Sequence, residues 1–229
     1  MTVTESRTEH HVDTREALLD AAETLFSEHG IQASSLRMIT HQAGANLAAV
    51  HYHFGSKEGL VRAVFARRLQ PLREERFQLL EACDLSGGME GKGVEQVIHA
   101  FVAPLIRRMR ETPDGAHAFA QLMGRVFSEP SEEVRSMLIH ELKPSADRFF
   151  EALRQLLPHL SDKELMWRFQ FLAGGMGHTV SCQKMVARFS EGVCGGSDPD
   201  EMLRYLVTFM ASGLRAPATA EPDLQGEPA

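Results

Sequence analysis

Between residues 13 and 213, apolar residues return every three or four positions, and no segment sustains the alternation of a half-buried strand. Leu18, Ala21, Ala22, Leu25 and Phe26 open the pattern, followed by Leu36, Ile39 and Ala43, then by Leu47, Val50 and Phe54. Stripes of this period are buried by packing helix on helix, so the chain is read as all-α. With 229 residues, 43% hydrophobic and 24% charged, it can bury a sizeable core and solvate its surface. Those values exclude disorder, a collagen-like repeat and a disulfide-built miniprotein.

Capping residues and glycines divide the pattern. Asp13 or Thr14 can cap a first helix, with Glu16 placed to close a capping box, and Gly30 ends it. Ser34 or Ser35 opens a very short second helix that Gly44 stops. Asn46 opens a third, stopped by Gly55, and Ser56 opens a fourth that runs to about Cys83. Beyond the glycine-rich loop 86–93, helices are predicted over 94–110, 114–127, 131–157, 162–189 and 198–213, with Pro144 kinking or splitting the third of these. Residues 1–12 read as a flexible arm, and residues 215–229, with Pro217, Pro222 and Pro228, as a disordered tail.

The chemistry concentrates in residues 34–60, SSLRMITHQAGANLAAVHYHFGSKEGL. Two short helices meet across Gly44-Ala45-Asn46, where a glycine can take the left-handed backbone that closes one helix and an asparagine can cap the next. That is the grammar of a helix-turn-helix. Burying Leu47, Val50 and Phe54 turns Ala48, Ala49, His51, Tyr52 and His53 outward. Small Ala48 and Ala49 would let the helix approach base edges and thymine methyls, while the three rings supply stacking and hydrogen bonds. Ser34, Ser35, Arg37, Tyr52 and Lys57 are expected at phosphates. The candidate DNA-binding residues are therefore Ser34, Ser35, Arg37, Asn46, Leu47, Ala48, Ala49, His51, Tyr52, His53 and Lys57.

Charge agrees with a local interface. The formal net charge of −7 rules out a uniformly basic coat, yet residues 35–76 hold seven Lys or Arg against three acids. The acidic first helix is expected to face away from DNA. A compact helical hairpin with aromatic residues at its end is the competing reading of the pattern taken alone.

The run Ala43-Gly44-Ala45-Asn46 followed by Val50-His51-Tyr52-His53-Phe54-Gly55-Ser56-Lys57-Glu58-Gly59-Leu60 resembles the signature of the TetR family of bacterial transcriptional regulators. Upstream, Ala21-Ala22-Glu23-Thr24-Leu25-Phe26, Gly30 and Ser34-Ser35-Leu36-Arg37-Met38-Ile39 resemble it too, so the likeness covers about residues 14–64. His51 stands where a tyrosine is commoner, and Leu47-Ala48-Ala49 replaces a more usual Ser or Lys with Gly, so base preference should differ from that of relatives. The resemblance implies a three-helix helix-turn-helix DNA-binding domain over 13–60, a linking helix over 61–84, and a helical ligand-binding and dimerisation domain over 85–214. It further implies a cytoplasmic homodimer on a double-stranded DNA operator, most simply a repressor, controlled by a small apolar effector.

Within the regulatory part, Phe101, Leu105, Met109, Phe119, Met123, Phe127 and Phe149 are candidates to line an effector cavity. His117, Gln121, Arg125, Gln170 and His178 could orient a ligand's polar end. Ordinary core packing is the alternative for each. The segments 101–105, 124–130 and 168–171, with Gly174, Met176, His178 and Thr179, resemble TetR-family members that respond to long-chain fatty acids or their derivatives, which implies an acyl effector. Gly174, Gly175 and Gly177 inside a helix suggest close approach of a neighbour. By the resemblance, Met166, Leu172, Ala173, Val180, Leu203, Leu206, Val207 and Met210 would form a four-helix dimer bundle.

Other classes find less support. No catalytic triad or paired-carboxylate pattern appears, and Gly91-Lys92 is followed by Gly93 where a phosphate-binding loop needs Ser or Thr. The eleven histidines form no HExxH, so neither metal nor cofactor is expected. Cys83, Cys182 and Cys194 form no CxxC, which fits a reducing compartment, and oxidation of Cys182 with Cys194 is the alternative trigger. No stretch reads as a signal peptide or a membrane span.

Overall fold

A computed structural model describes residues 3–88, 91–111, 122–123, 131–194 and 198–219, and among them the ordered elements are helices with no strand. They are α1 (Val3–His29), α2 (Leu36–Gln42), α3 (Leu47–Phe54), α4 (Lys57–Glu81), α5 (Gly93–Glu111), α6 (Glu132–Leu156), α7 (Asp162–Ser181), α8 (Gln183–Phe189) and α9 (Pro199–Arg215). Ser35, Asn46, Ser56, Ser131, Ser161 and Asp198 each accept a backbone N–H as helix caps.

Several boundaries differ from the sequence reading. Helix α1 begins at Val3, so Asp13 lies inside it and residues 3–12 are helical rather than a flexible arm. That stretch contains neither glycine nor proline, and nothing stops the ladder from propagating. Pro144 lies within α6, which runs as one helix. The carbonyl that its missing N–H would have met belongs to exposed His140, where water can serve it. The single helix predicted over 162–189 is two, because Cys182 (φ −108°, ψ 13°) leaves the helical well between α7 and α8. Of the helix predicted over 114–127, only Leu122 and Met123 fall among the described residues.

The chain end is anchored as far as it is described. Arg168 donates to the carbonyls of Gly213, Leu214, Ala216 and Pro217 at 2.7–3.0 Å. Thr219 gives its N–H and hydroxyl to Glu164 at 2.9 and 2.8 Å. Arg215 pairs with Glu95 and donates to the Gly91 carbonyl. Residues 215–219 are therefore held in place rather than forming a loose tail, and residues 220–229 lie outside the described chain.

Apolar packing forms three clusters. The first joins α1, α2, α3 and the start of α4 through Leu18, Phe26, Ile39, Val50, Leu60 and Phe65, with Leu122 and with Val134 and Leu138 of α6 added. The second joins α5, the end of α6, α7 and α9 with Leu80 of α4. The third is small: Leu72, Leu105 and Val180, with Met176 against them. Helix α4 contributes to all three. Fully burying one such aliphatic side chain contributes about 1.5–3 kcal/mol, so α4 is held firmly at both ends.

Candidate DNA-binding face and regulatory core

Gly44 (φ +62°) closes α2 in the left-handed region, and the Ala45 N–H returns to the Thr40 carbonyl at 2.9 Å. Asn46 Oδ1 then accepts the Ala49 N–H at 2.9 Å, starting α3. A methyl at Gly59 would lie 2.0 Å from the Phe54 carbonyl oxygen, so only glycine lets α4 start so close to the end of α3. The turn between α2 and α3 and the hinge into α4 are thus fixed by backbone geometry.

The outward face of α3 carries Leu47, Ala48, His51 and Tyr52, the last 74% exposed. Leu47 was expected inside and Ala49 outside; the structure reverses them. At about 100° per residue the inward direction falls between fully buried Val50 and half-buried His53, which tips Leu47 out and draws Ala49 in. His53 sits edge-on to Tyr52 with ring centroids 5.1 Å apart and lies 5.9 Å from Phe54. His51 Nδ1 is 2.9 Å from the Gly55 carbonyl, which orients its ring.

Around this face, Ser35 and Arg37 are exposed at the start of α2, whereas Ser34 is fully buried. The Ser34 hydroxyl lies 2.7 Å from the Gly30 carbonyl and 3.1 Å from that of Leu25, so its proton is used inside the head and cannot serve a phosphate. Lys57 reaches the Gln32 carbonyl at 3.4 Å. Its neighbour Glu58 places a carboxylate at the same helix start, held below its usual range by the Ser56 hydroxyl.

The basic excess is smaller than the count suggests. Arg67 pairs with Glu23, with Asp20 at 2.7 Å and with Glu16 at 3.4 Å, and Arg68 reaches Glu23 at 2.8 Å. Glu16, Asp20 and Glu23 of α1 are therefore spent on α4, binding the head to the helix that leaves it. Arg76 is buried, so with Arg67 and Arg68 three of the seven cations are turned to the protein's own interior or acids.

In the regulatory part, Phe101, Leu105 and Phe149 are buried, and the Phe101 ring lies 5.1 Å from Phe149 and 5.3 Å from Phe169. Met123 is half-buried but packs on the head cluster, away from Phe101. Gln170 and His178 are exposed, because α7 turns Leu165, Phe169, Leu172 and Val180 inward. His117, Phe119, Gln121, Arg125, Phe127 and the Met109 side chain lie outside the described residues.

Sequence reasoning missed Arg76. It is 4% exposed, its Nε donates to the Phe101 carbonyl at 2.7 Å, and its Nη2 lies 3.5 Å from Met176 Sδ. The guanidinium carbon sits 4.0 Å from the Phe101 ring centre. Burial pulls its pKa down to about 9, and among the described residues no carboxylate pairs with it. A signal existed: Leu69, Leu72, Arg76 and Leu80 share one stripe of α4.

Of the residues expected in a dimer bundle, Leu172 and Val180 are buried, Ala173, Leu203, Leu206, Val207 and Met210 are half-buried against the second cluster, and Met166 is exposed. On α7 and α9 the large apolar side chains left exposed are Met166, Trp167, Phe171, Tyr205 and Phe209. Trp167 and Phe171 stack at 6.1 Å. A methyl on Gly175 would meet Met210 Cε at 2.3 Å, so this glycine does admit a neighbouring helix, while Gly174 and Gly177 face open space.

Of the three cysteines, Cys83 and Cys182 are half-buried and Cys194 is exposed. Burial pushes the Cys83 thiol up, which disfavours the reactive thiolate. Among the described residues no group of three or more His, Cys, Asp or Glu is placed to hold a metal ion, and no helix is long and apolar enough to cross a membrane.

A capped eight-residue helix offering its outer face, set by a glycine turn against a second short helix and continued through Gly55 into a long helix, defines a helix-turn-helix regulator. Comparison agrees: residues 18–64 match the model described as bacterial regulatory proteins, tetR family, and residues 99–213 match the tetracyclin repressor-like C-terminal domain. The chain belongs to the TetR family of DNA-binding transcriptional regulators. It is 44% identical over 61 residues to the HTH-type nicotine-responsive transcriptional repressor HdnoR of Paenarthrobacter nicotinovorans, covering 27% of this chain and 31% of that one. Matches to HdnoR and two further curated relatives span 31% to 66% of those proteins' lengths. In fold it is similar to the fatty acid degradation regulator FadR of Bacillus halodurans, with TM-score 0.65 and 16% identity over 88% of this chain and 96% of that one. It is likewise similar to FadR of Bacillus subtilis in complex with stearoyl-CoA, with TM-score 0.58 and 17% identity over 86% and 98%.

Proposed function

We propose that this regulator is a homodimeric repressor of a palindromic operator, released by a small apolar effector of the long-chain acyl class. The observation that carries the reading is the course of α4, which packs Leu60, Val61, Val64 and Phe65 into the head and Leu72 and Leu80 into the regulatory clusters. A ligand acts only through its different affinities for two conformations, so it must touch an element whose position differs between them. Tilting α4 by about 10° over the ~28 Å from Arg76 to Lys57 would move the head by roughly 5 Å. That shift is enough to spoil a spacing of about one DNA turn between two recognition helices.

Leu47, Ala48, His51 and Tyr52 are the groove-facing set, with Ser35, Arg37 and Lys57 at phosphates. The faces of α7 and α9 that carry Trp167, Phe171, Tyr205 and Phe209 close the dimer. The folds of the two FadR proteins, one named for fatty acid degradation and one seen with stearoyl-CoA, support the acyl class. The test is operator binding by fluorescence anisotropy with and without acyl compounds. A coupling typical of allostery lowers operator affinity about 5- to 150-fold. Unchanged affinity with ligand bound would refute the reading.

A further inference from the structure

Arg76 is a buried cation with only neutral partners. Its guanidinium has five N–H donors. The described structure supplies one backbone carbonyl, one thioether sulfur and the face of Phe101. A carbonyl and an aromatic face partly offset the loss of water, but neither neutralises charge, and a thioether is a weak acceptor. Buried charges are ordinarily paired with an opposite charge. Glu75, the adjacent acid, pairs instead with Arg107 and Arg108.

The surroundings say what kind of group would suit the guanidinium. The Phe101 ring covers the guanidinium, and half-buried Met176 beside it packs on the apolar cluster of Leu72, Leu105 and Val180. Met176 is also the adaptable element: three rotatable bonds and a glycine on either side let it move aside. An anion arriving there would exchange a weak sulfur contact for a charge-assisted, bidentate one.

Resting on the effector reading above, we infer that the effector is an amphiphilic acid, an apolar chain ending in a carboxylate that pairs with Arg76. The same contact explains how such a ligand is felt at the DNA. Arg76 ties α4 to the α5 carbonyl of Phe101 and to α7 at Met176, so drawing its guanidinium onto a carboxylate alters the contacts that fix α4 against both helices.

The test is isothermal titration calorimetry on the full-length protein with saturated chains from hexyl to octadecyl, each as the acid and as the matching primary alcohol. The wild type should bind the preferred acid about tenfold or more tightly than its alcohol, the range for hydrogen bonds to a charged group. Arg76→Met, which keeps volume and removes charge, should bring acid and alcohol within about twofold of each other. The comparison within the wild type decides the question even if the variant folds poorly. Alcohols that bind as tightly as acids overturn the carboxylate assignment and leave an apolar effector standing. Failure of every chain in both forms overturns the acyl reading as well.

Discussion

Glu23 is the residue on which the joint between head and linking helix depends. Its carboxylate is 4% exposed and shared between Arg67 and Arg68, both on α4. Glu23→Gln keeps the shape and removes the charge, leaving two guanidinium groups facing a neutral amide. Breaking a fully buried ion pair costs about 3–5 kcal/mol. Here the Arg67 and Arg68 side chains keep 22% and 36% of their exposure, and Arg67 retains Asp20 at 2.7 Å. That solvation and the spare partner reduce the expected loss to about 2–3 kcal/mol. For a chain of this size each kcal/mol moves the melting temperature by roughly 2–4 °C, so the midpoint should fall by about 5–10 °C. Asp20→Asn is the control, since the Asp20 side chain is 73% exposed and its pair is worth below about 1 kcal/mol. Differential scanning calorimetry of both variants at low and high salt measures the difference. Equal melting temperatures for the two variants would refute the claim that Glu23 locks α1 onto α4.

Other substitutions probe the remaining contacts. Ala48→Glu sets a carboxylate against the groove and should weaken operator binding about 100-fold or more without lowering the melting temperature, as read by anisotropy and circular dichroism. Phe171→Glu puts a charge into the exposed apolar face of α7 and should raise the dimer dissociation constant at least about 30-fold in analytical ultracentrifugation. Glu164 is held down at about 2, below its ordinary 4.5, by hydrogen bonds from the Thr219 backbone and hydroxyl and from Arg168. Because the folded pKa is the lower one, its stabilisation is complete above pH 4.5 and is lost as pH falls toward 2. Urea midpoints of wild type and Glu164→Gln should therefore converge over that interval; a constant gap would contradict the anchoring of the chain end.

What could be read in the sequence was local. Gly44 and Asn46 announce the turn between α2 and α3 because a left-handed closure and an N-cap demand those residue types in place. The serines at 35, 56, 131 and 161 announce helix starts for the same reason. Phase within an eight-residue helix is different: two turns do not fix an inward direction, and Leu47 and Ala49 exchanged places once His53 packed inward. The burial of Ser34 depends on carbonyls of Leu25 and Gly30 that only the fold brings near. Arg76 was hidden by its setting in Arg73-Glu74-Glu75-Arg76, a run that reads as a solvated face until α5 and α7 cover one side of it. On α7 and α9, apolar residues on opposite faces look alike in sequence, and only packing separated Leu172 and Met210 from Phe171 and Phe209.

Selection of bound duplexes from a randomised DNA library, with the full-length protein at physiological salt, addresses the reading head most directly. The expected product is an inverted repeat whose half-site centres lie about one helical turn, ~34 Å, apart, with no enrichment by Ala48→Glu protein under the same conditions. An enriched site without twofold symmetry, or the same site recovered by Ala48→Glu, would contradict a dimer that reads DNA through the outer face of α3.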